Sequence, residues 1–365
     1  MKKAILAILI LLTLSGCQKQ NTDVLNVLNW SSYIPDEVIK DFEKETSIKV
    51  NYGTYSSNEE LLAKISASKE GTYDVIFPSD YMVELMKDKG YLETIDKTKL
   101  SNYKNIKDEY LNLTYDVGNE YSLPFLVATV FIAKNKDHVL DNIDSYNDLL
   151  NEKYKNNIVM LDDQRIVIGI ALLALGYDPN EIDVNKLKEA EEWLLKLKPN
   201  IKAFDSDSPK MFLISEEVDI GVIWNAEIAI AMNQNKSIEV IYPNEGTMLS
   251  IDNYAILKGS KNQENAYKFI NYLLREDVMA KIIEGYPYKN VNGRADSILP
   301  NSYILNESSN FSKEILRNSY LVKNIGDKVK LYDQIWANIK WDVNCNLNKK
   351  VLQFIYNMKG GIYDS

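Results

Sequence analysis

The chain is poor in the residues on which most metal and catalytic centres depend: among 365 residues there is one histidine, His138, and two cysteines, Cys17 and Cys345. A single imidazole excludes His-rich metal centres, and one imidazole with two distant thiols does not make a Cys-His zinc pattern. No metal or cofactor is expected. His138 lies in the polar stretch Lys136-Asp137-His138, which reads as an exposed loop rather than the seat of a general base. G-x-S-x-G, H-E-x-x-H, P-loop and dinucleotide-binding glycine signatures are all missing, so an enzyme is disfavoured. Positive charge is short as well, with 42 Lys plus Arg against 52 Asp plus Glu, a net charge of -10 and a pI near 4.9. A binder of phosphate backbones has the opposite balance, which excludes nucleic acid as a partner. What is present is ordinary globular material: 45% hydrophobic and 26% charged residues, with 15 Gly and 9 Pro spread thinly. At this length such a composition supports two domains with a core in each.

The amino terminus carries an address. Lys2 and Lys3 precede the apolar run Ala4 to Leu14, which is far shorter than the ~20 residues of a spanning helix and suits a secretory signal. It ends in Leu14-Ser15-Gly16-Cys17, which resembles the bacterial lipobox, where cleavage before the cysteine is followed by lipid attachment to it. Residues 1–16 are therefore expected to be a lipoprotein signal peptide, Cys17 the lipidated residue, and the polar residues 17–23 a tether. The body would then sit in the periplasm or on the outer face of the cell membrane. Cys345, with no partner for an intrachain disulfide, reads as an inert thiol.

Beyond the tether, strand and helix periods alternate. Val24 to Trp30 reads as a strand, Pro35 to Thr46 as a helix with Val38, Ile39 and Phe42 on one face, and Ile48 to Tyr52 as the next strand. Ser57 and Glu60 form a capping box before Leu61, Leu62 and Ile65, and Tyr73 to Phe77 is a buried strand ahead of a helix opening at Pro78-Ser79-Asp80. Further strands are expected at 157–161, 218–224 and 250–257, and helices on the stripes of Leu187, Ala190, Leu194 and Leu197 and of Ala266, Phe269, Ile270 and Leu273. Such alternation predicts an α/β fold whose ligand sites lie at the carboxyl ends of strands.

At those ends aromatics and acids keep company. Trp30 and Tyr33 flank Ser31 and Ser32, Tyr81 follows Ser79 and Asp80, Asp163 ends a strand, Trp224 precedes Glu227, Asp252 sits within a strand, and Tyr286 lies in Gly285-Tyr286-Pro287. Aromatic faces attract cations and carboxylates give ammonium groups charge-assisted hydrogen bonds, so the mixture suits an organic cation with methylene spacers. Each residue alone also has a plain role, as a core aromatic or as a helix cap.

The order Asn29-Trp30-Ser31-Ser32-Tyr33-Ile34-Pro35, Tyr73-Asp74-Val75-Ile76-Phe77-Pro78-Ser79-Asp80-Tyr81, Leu161-Asp162-Asp163, Ile223-Trp224-Asn225 and Gly285-Tyr286-Pro287 resembles the spermidine/putrescine-binding proteins of bacterial ABC importers. The resemblance spans about residues 25 to 345 in one register. It implies a two-lobed, type II periplasmic-binding-protein-like fold with the ligand cleft between the lobes. It also implies a monomer that passes its polyamine to a membrane permease driven by a cytoplasmic ATPase. Under it, Trp30, Tyr33, Tyr81, Trp224 and Tyr286 match aromatic walls, Ser31 and Ser79 polar contacts, and Asp163 and Asp252 carboxylates that neutralise ammonium groups. Glu227 and Asp80 are candidates to complete the charge.

The departures bear on which amine is taken. Ile166 stands where a Glu is usual, Ser32 replaces an acid, Ser250 an aromatic, and Val127 and Val322 a Trp and a Gln. Putrescine, spermidine and another organic cation all stay open, as does a different solute or an enzyme on the same scaffold. Crossing strands near 127–131 and 247–251 are expected to form the hinge. The lobes would comprise 24–129 plus 251–300, and 130–250 plus 301–365.

Overall fold

A computed structural model describes residues 23–340; the signal segment, Cys17, most of the tether and Cys345 lie outside them. The strands are β1 (Val24–Trp30), β2 (Lys49–Tyr55), β3 (Val75–Ile76), β4 (Ser122–Asn135), β5 (Ile158–Met160), β6 (Ile201–Phe204), β7 (Ile220–Trp224), β8 (Ile238–Ile241), β9 (Thr247–Ile256), β10 (Lys289–Asn290) and β11 (Ser319–Leu321). Eight of them run in the order β2-β1-β3-β9-β4-β7-β5-β6, with β8 and β10 paired to β4 and β11 to β9. The expected α/β alternation is present, and its strands are parallel at both flanks: β1 with β2 and β3, β5 with β6 and β7.

The two flanks meet on β4, and the register shows how. Residues Ser122 to Thr129 pair antiparallel with β9, whereas Val130 to Lys134 pair antiparallel with β7. One continuous strand thus serves both halves of a curled sheet, and every residue of β4 is buried. A strand buried on both faces reads as a near-continuous apolar run, as Leu123-Pro124-Phe125-Leu126-Val127-Ala128 does.

Helices cover the sheet, and their sequences explain their ends. Helix Asn58–Ala67 is capped by the Ser57 side chain accepting from the Glu60 N–H, and helix Val184–Leu197 by Asp183 accepting from Asn185 and Lys186. Each satisfies donors that a helix start leaves free. On the second helix Leu187, Ala190, Leu194 and Leu197 are buried, as their spacing predicts. One core cluster, built on Leu25, Phe42, Phe77, Phe125 and Phe269, lies under the β1 flank. A larger one reaches from Leu61 and Met82 to Val167, Leu194 and Val222 on the β5 flank. Trp30 and Trp224 pack against both clusters.

Candidate functional site

Strand ends from the two flanks converge on one cavity. β1 ends at Trp30, and the turn that follows, with Ser32 at a φ of 56°, brings Tyr33 back beside it. The Trp30 and Tyr33 rings are 6.3 Å apart, and Trp30 lies 4.7 Å from Tyr55. The Trp30 indole N–H donates to the Phe77 carbonyl at 2.9 Å, which holds the ring at the carboxyl end of β3. β7 delivers Trp224 and β9 delivers Asp252, which faces Ser79 across an isolated antiparallel bridge. The cavity is lined by Trp30, Ser31, Tyr33, Ser79, Tyr81, Asp163, Trp224 and Asp252 among the sequence-derived candidates.

Asp252 is the most buried of the charged side chains that line the cavity, 3% exposed. The Tyr33 hydroxyl donates to one carboxylate oxygen and the Ser79 hydroxyl to the other at 2.6 Å. Ser79 stands at the N-cap of helix Asp80–Asp88, yet its side chain does not cap that helix. Its hydroxyl is given to Asp252 and accepts from the Asn58 amide at 3.1 Å. Burial pushes the Asp252 carboxyl up to about 6, with the two hydroxyls pulling the other way. Asp163 is also lifted to about 6, by burial first and then by the Glu59 charge. One of its oxygens caps helix Gln164–Ala174, accepting from the Arg165 and Ile166 N–H groups at 2.9 and 3.1 Å.

Three sequence-derived candidates do not line the cavity. Glu227 is engaged from behind: its two oxygens accept from the Lys210 ammonium at 2.9 and 2.8 Å. With side chains 6% and 16% exposed, this is a buried pair rather than a free charge awaiting an amine. Removing one partner of such a pair costs about 3 to 5 kcal/mol. Glu227→Gln is therefore expected to lower the melting temperature by several degrees in scanning calorimetry. Asp80, 1% exposed, accepts from the N–H groups of Tyr81 at 2.8 Å and Ile251 at 3.4 Å. Burial holds its carboxyl well above the usual range, and the two N–H groups let it tie a helix start to β9. Tyr286 ends helix Glu276–Gly285 and packs against the core under the β1 flank. A tight turn through Pro287, closed by the Tyr288 N–H on the Tyr286 carbonyl at 2.8 Å, instead sets Tyr288 against Tyr33. Their ring centroids are 4.6 Å apart, and Tyr288 lines the cavity.

Asn58, Ser56, Ser206 and Arg165 line it too and were not singled out by the sequence. Of the departures, Ile166, Ser250 and Val322 are in the wall, whereas Val127 is buried in a small cluster behind it and Ala128 takes the lining position. The two flanks are clasped at the rim: the Asp207 carboxylate accepts the Ser31 and Ser56 hydroxyls, each at 3.1 Å. Among the described residues no His, Cys, Asp and Glu cluster could hold a metal ion.

Residues 37–304 match the model of a bacterial extracellular solute-binding protein family. Residues 1–18, which include Cys17, match the prokaryotic membrane lipoprotein lipid attachment site. The chain is 36% identical over 333 residues to the spermidine/putrescine-binding periplasmic protein of Salmonella typhimurium, covering 90% of this chain and 95% of that one. It is 31% identical over 358 residues to a putrescine-binding periplasmic protein of Pseudomonas aeruginosa, covering 91% and 97%. Among solved structures, a putative spermidine/putrescine ABC transporter from Listeria monocytogenes superposes with a TM-score of 0.84 at 33% identity, covering 87% of this chain and 99% of that one.

Proposed function

Because the chain belongs to the bacterial extracellular solute-binding proteins, exported, anchored by lipid and not enzymes, we propose that its cavity captures putrescine and/or spermidine for delivery to an ABC permease with a cytoplasmic ATPase. The observation that carries this reading is that Asp163 and Asp252 face the same space between Trp30, Tyr33, Trp224 and Tyr288. Ammonium ends would pair with the carboxylates while the rings cover the methylenes. The reading fits the relatives, named for spermidine and putrescine.

Two lobes, 24–129 plus 251–300 and 130–250 plus 301–365, would close on the amine about the crossings near 127–131 and 247–251. Each monomer would hold one ligand, and the permease would read the closed form. Asp207 favours closure by clasping Ser31 and Ser56. Hydrogen bonds to a charged group contribute about 1.5 to 3 kcal/mol, less when solvent-exposed. Asp207→Ala is thus expected to speed amine release about tenfold in stopped-flow fluorescence, with little change in the association rate.

Calorimetric titration of the protein lacking residues 1–17, unfolded and refolded to strip carried-over ligand, tests the reading with putrescine, cadaverine, spermidine and spermine. Micromolar or tighter binding of one amine is expected. No heat from any of them would mean that the cavity takes a different solute.

A further inference from the structure

Outside the cavity, at its rim, one primary ammonium group of the chain itself sits in a cage of rings and a carboxylate. β6 ends at Phe204, and helix Val329–Lys340 carries Trp336 to it. The two rings meet edge to face, 5.2 Å apart at 77°. The Lys340 ammonium stands 4.9 Å from the Phe204 centroid and 5.4 Å from that of Trp336. It donates to the Asp162 carboxylate at 2.7 Å. Asp162 is itself fixed by its backbone N–H, which donates to the Ser206 hydroxyl at 2.9 Å.

We infer that Phe204, Trp336 and Asp162 form a second, outer site for a primary alkylammonium group, with the Lys340 side chain as its built-in competitor. A lysine side chain is four methylenes ending in an ammonium, the same arm that an aliphatic amine presents. The carboxylate gives that ammonium a charge-assisted hydrogen bond, and the rings favour a cation over a neutral group of the same shape. The side chains of the Lys340–Asp162 pair are 34% and 42% exposed. A pair so open to water is weak, so an amine from solution can take the place of Lys340 while the displaced ammonium turns into solvent. The inference goes beyond the polyamine reading, because the cage holds one ammonium whatever the inner cavity takes.

The surroundings favour a cation too. The groove that holds Phe204 and Trp336 is lined by Glu59, Asp205, Asp207 and Asp333 as well, and by no lysine or arginine. Three of these acids rest on neutral donors: Glu59 accepts the Tyr81 hydroxyl at 3.1 Å, Asp207 the Ser31 and Ser56 hydroxyls, and Asp205 the Asp207 and Ser208 N–H groups. Lys340 thus answers only part of the negative charge, and the remainder draws cations in. Ser56, Asp163 and Ser206 line both the groove and the cavity, so an amine held in the cage stands at the threshold of the inner site.

The test is fluorine NMR of protein labelled with 5-fluorotryptophan, the resonances assigned through Trp30→Phe, Trp224→Phe and Trp336→Phe. The protein is given one equivalent of putrescine and then titrated with butylamine, which has a single ammonium, or with butanol, its uncharged analogue. Butylamine is expected to shift the Trp336 resonance saturably. In Lys340→Ala, and in Lys340→Gln as a second variant, the same shift should be reached at tenfold or more lower concentration. Adding Asp162→Asn to Lys340→Ala should undo that gain, and butanol should leave Trp336 unmoved. A Trp336 response that is absent, no stronger in the two Lys340 variants than in wild type, or matched by butanol overturns the outer site. The polyamine reading then still stands if putrescine has moved Trp30 and Trp224. Putrescine that moves neither, while butylamine still shifts Trp336, overturns the polyamine reading and supports the outer site.

Discussion

Asp252→Asn is expected to weaken diamine binding by a hundredfold or more and, in the same protein, to raise the melting temperature of the empty form. The first effect follows from what the carboxylate faces. Removing one partner of a buried, hydrogen-bonded charge pair costs about 2 to 5 kcal/mol, and about 2.7 kcal/mol is already a hundredfold in affinity. The second follows from the sign of its titration. The carboxyl is pushed from 3.8 up to about 6 by burial, so the folded protein binds this proton more tightly than the unfolded chain does. A charge raised in this way destabilises the empty fold above pH 6, on the order of 3 kcal/mol for about two pH units. The penalty fades as pH falls from 6 toward 4. An amide never carries the charge and so never pays the penalty, although it satisfies the Tyr33 and Ser79 hydroxyls less well than two carboxylate oxygens do. Titration calorimetry reads the first effect and scanning calorimetry of stripped protein the second. Retained affinity together with an unchanged or lower melting temperature would remove Asp252 from the site.

Amine affinity is expected to fall about a hundredfold between pH 7 and pH 5 and to be flat from pH 7 to 9. In the empty protein Asp163 and Asp252 both titrate at about 6, and an ammonium group pairs with the ionised form of each. One pH unit below its pKa a carboxyl is ionised about one time in ten, so each group loses about a factor of ten and the pair about a hundred. Above pH 7 both are ionised, and aliphatic ammonium groups keep their protons until about pH 10. Titrations in buffers of different ionisation enthalpy should accordingly show protons released on binding near pH 6. A tenfold rather than hundredfold loss would mean that a single carboxylate meets the ligand.

The fold was largely legible because its elements bury one stripe each: the run at Val24 to Trp30 and the stripe at Leu187 to Leu197 need no distant information to be read. Boundaries were less so. The Tyr73 to Phe77 run pairs at Val75 and Ile76 alone, and β9 begins at Thr247, three residues ahead of the expected start, because β11 pairs there. The candidate residues at strand ends were legible as a set to the extent that Trp30, Tyr33, Ser79, Tyr81, Asp163, Trp224 and Asp252 all line one cavity. What escaped the sequence is which charges are already spent. Glu227 follows an aromatic at a strand end just as Asp163 follows a strand, yet a five-residue helix, Lys210–Ile214, brings Lys210 to it. Tyr286 and Tyr288 flank one proline, and the turn between them decides which ring faces Tyr33. Arg165 sits next to an aspartate within a helix start, where a basic residue looks like solvated surface until Tyr81 and Tyr332 are folded over it.

The strand order also couples secretion to completion of the binding pocket. β3 pairs with β1 on one side, but its other neighbour is β9, where Val75 and Ile76 meet Ile256 and Ala255. Contacts so distant in sequence form late, and an unpaired strand edge stays open until they do. A chain crossing the membrane amino end first keeps β3 half-paired until most of its 365 residues have emerged. A translocation intermediate arrested before Thr247 lacks the strand that closes this sheet and, with it, Asp252.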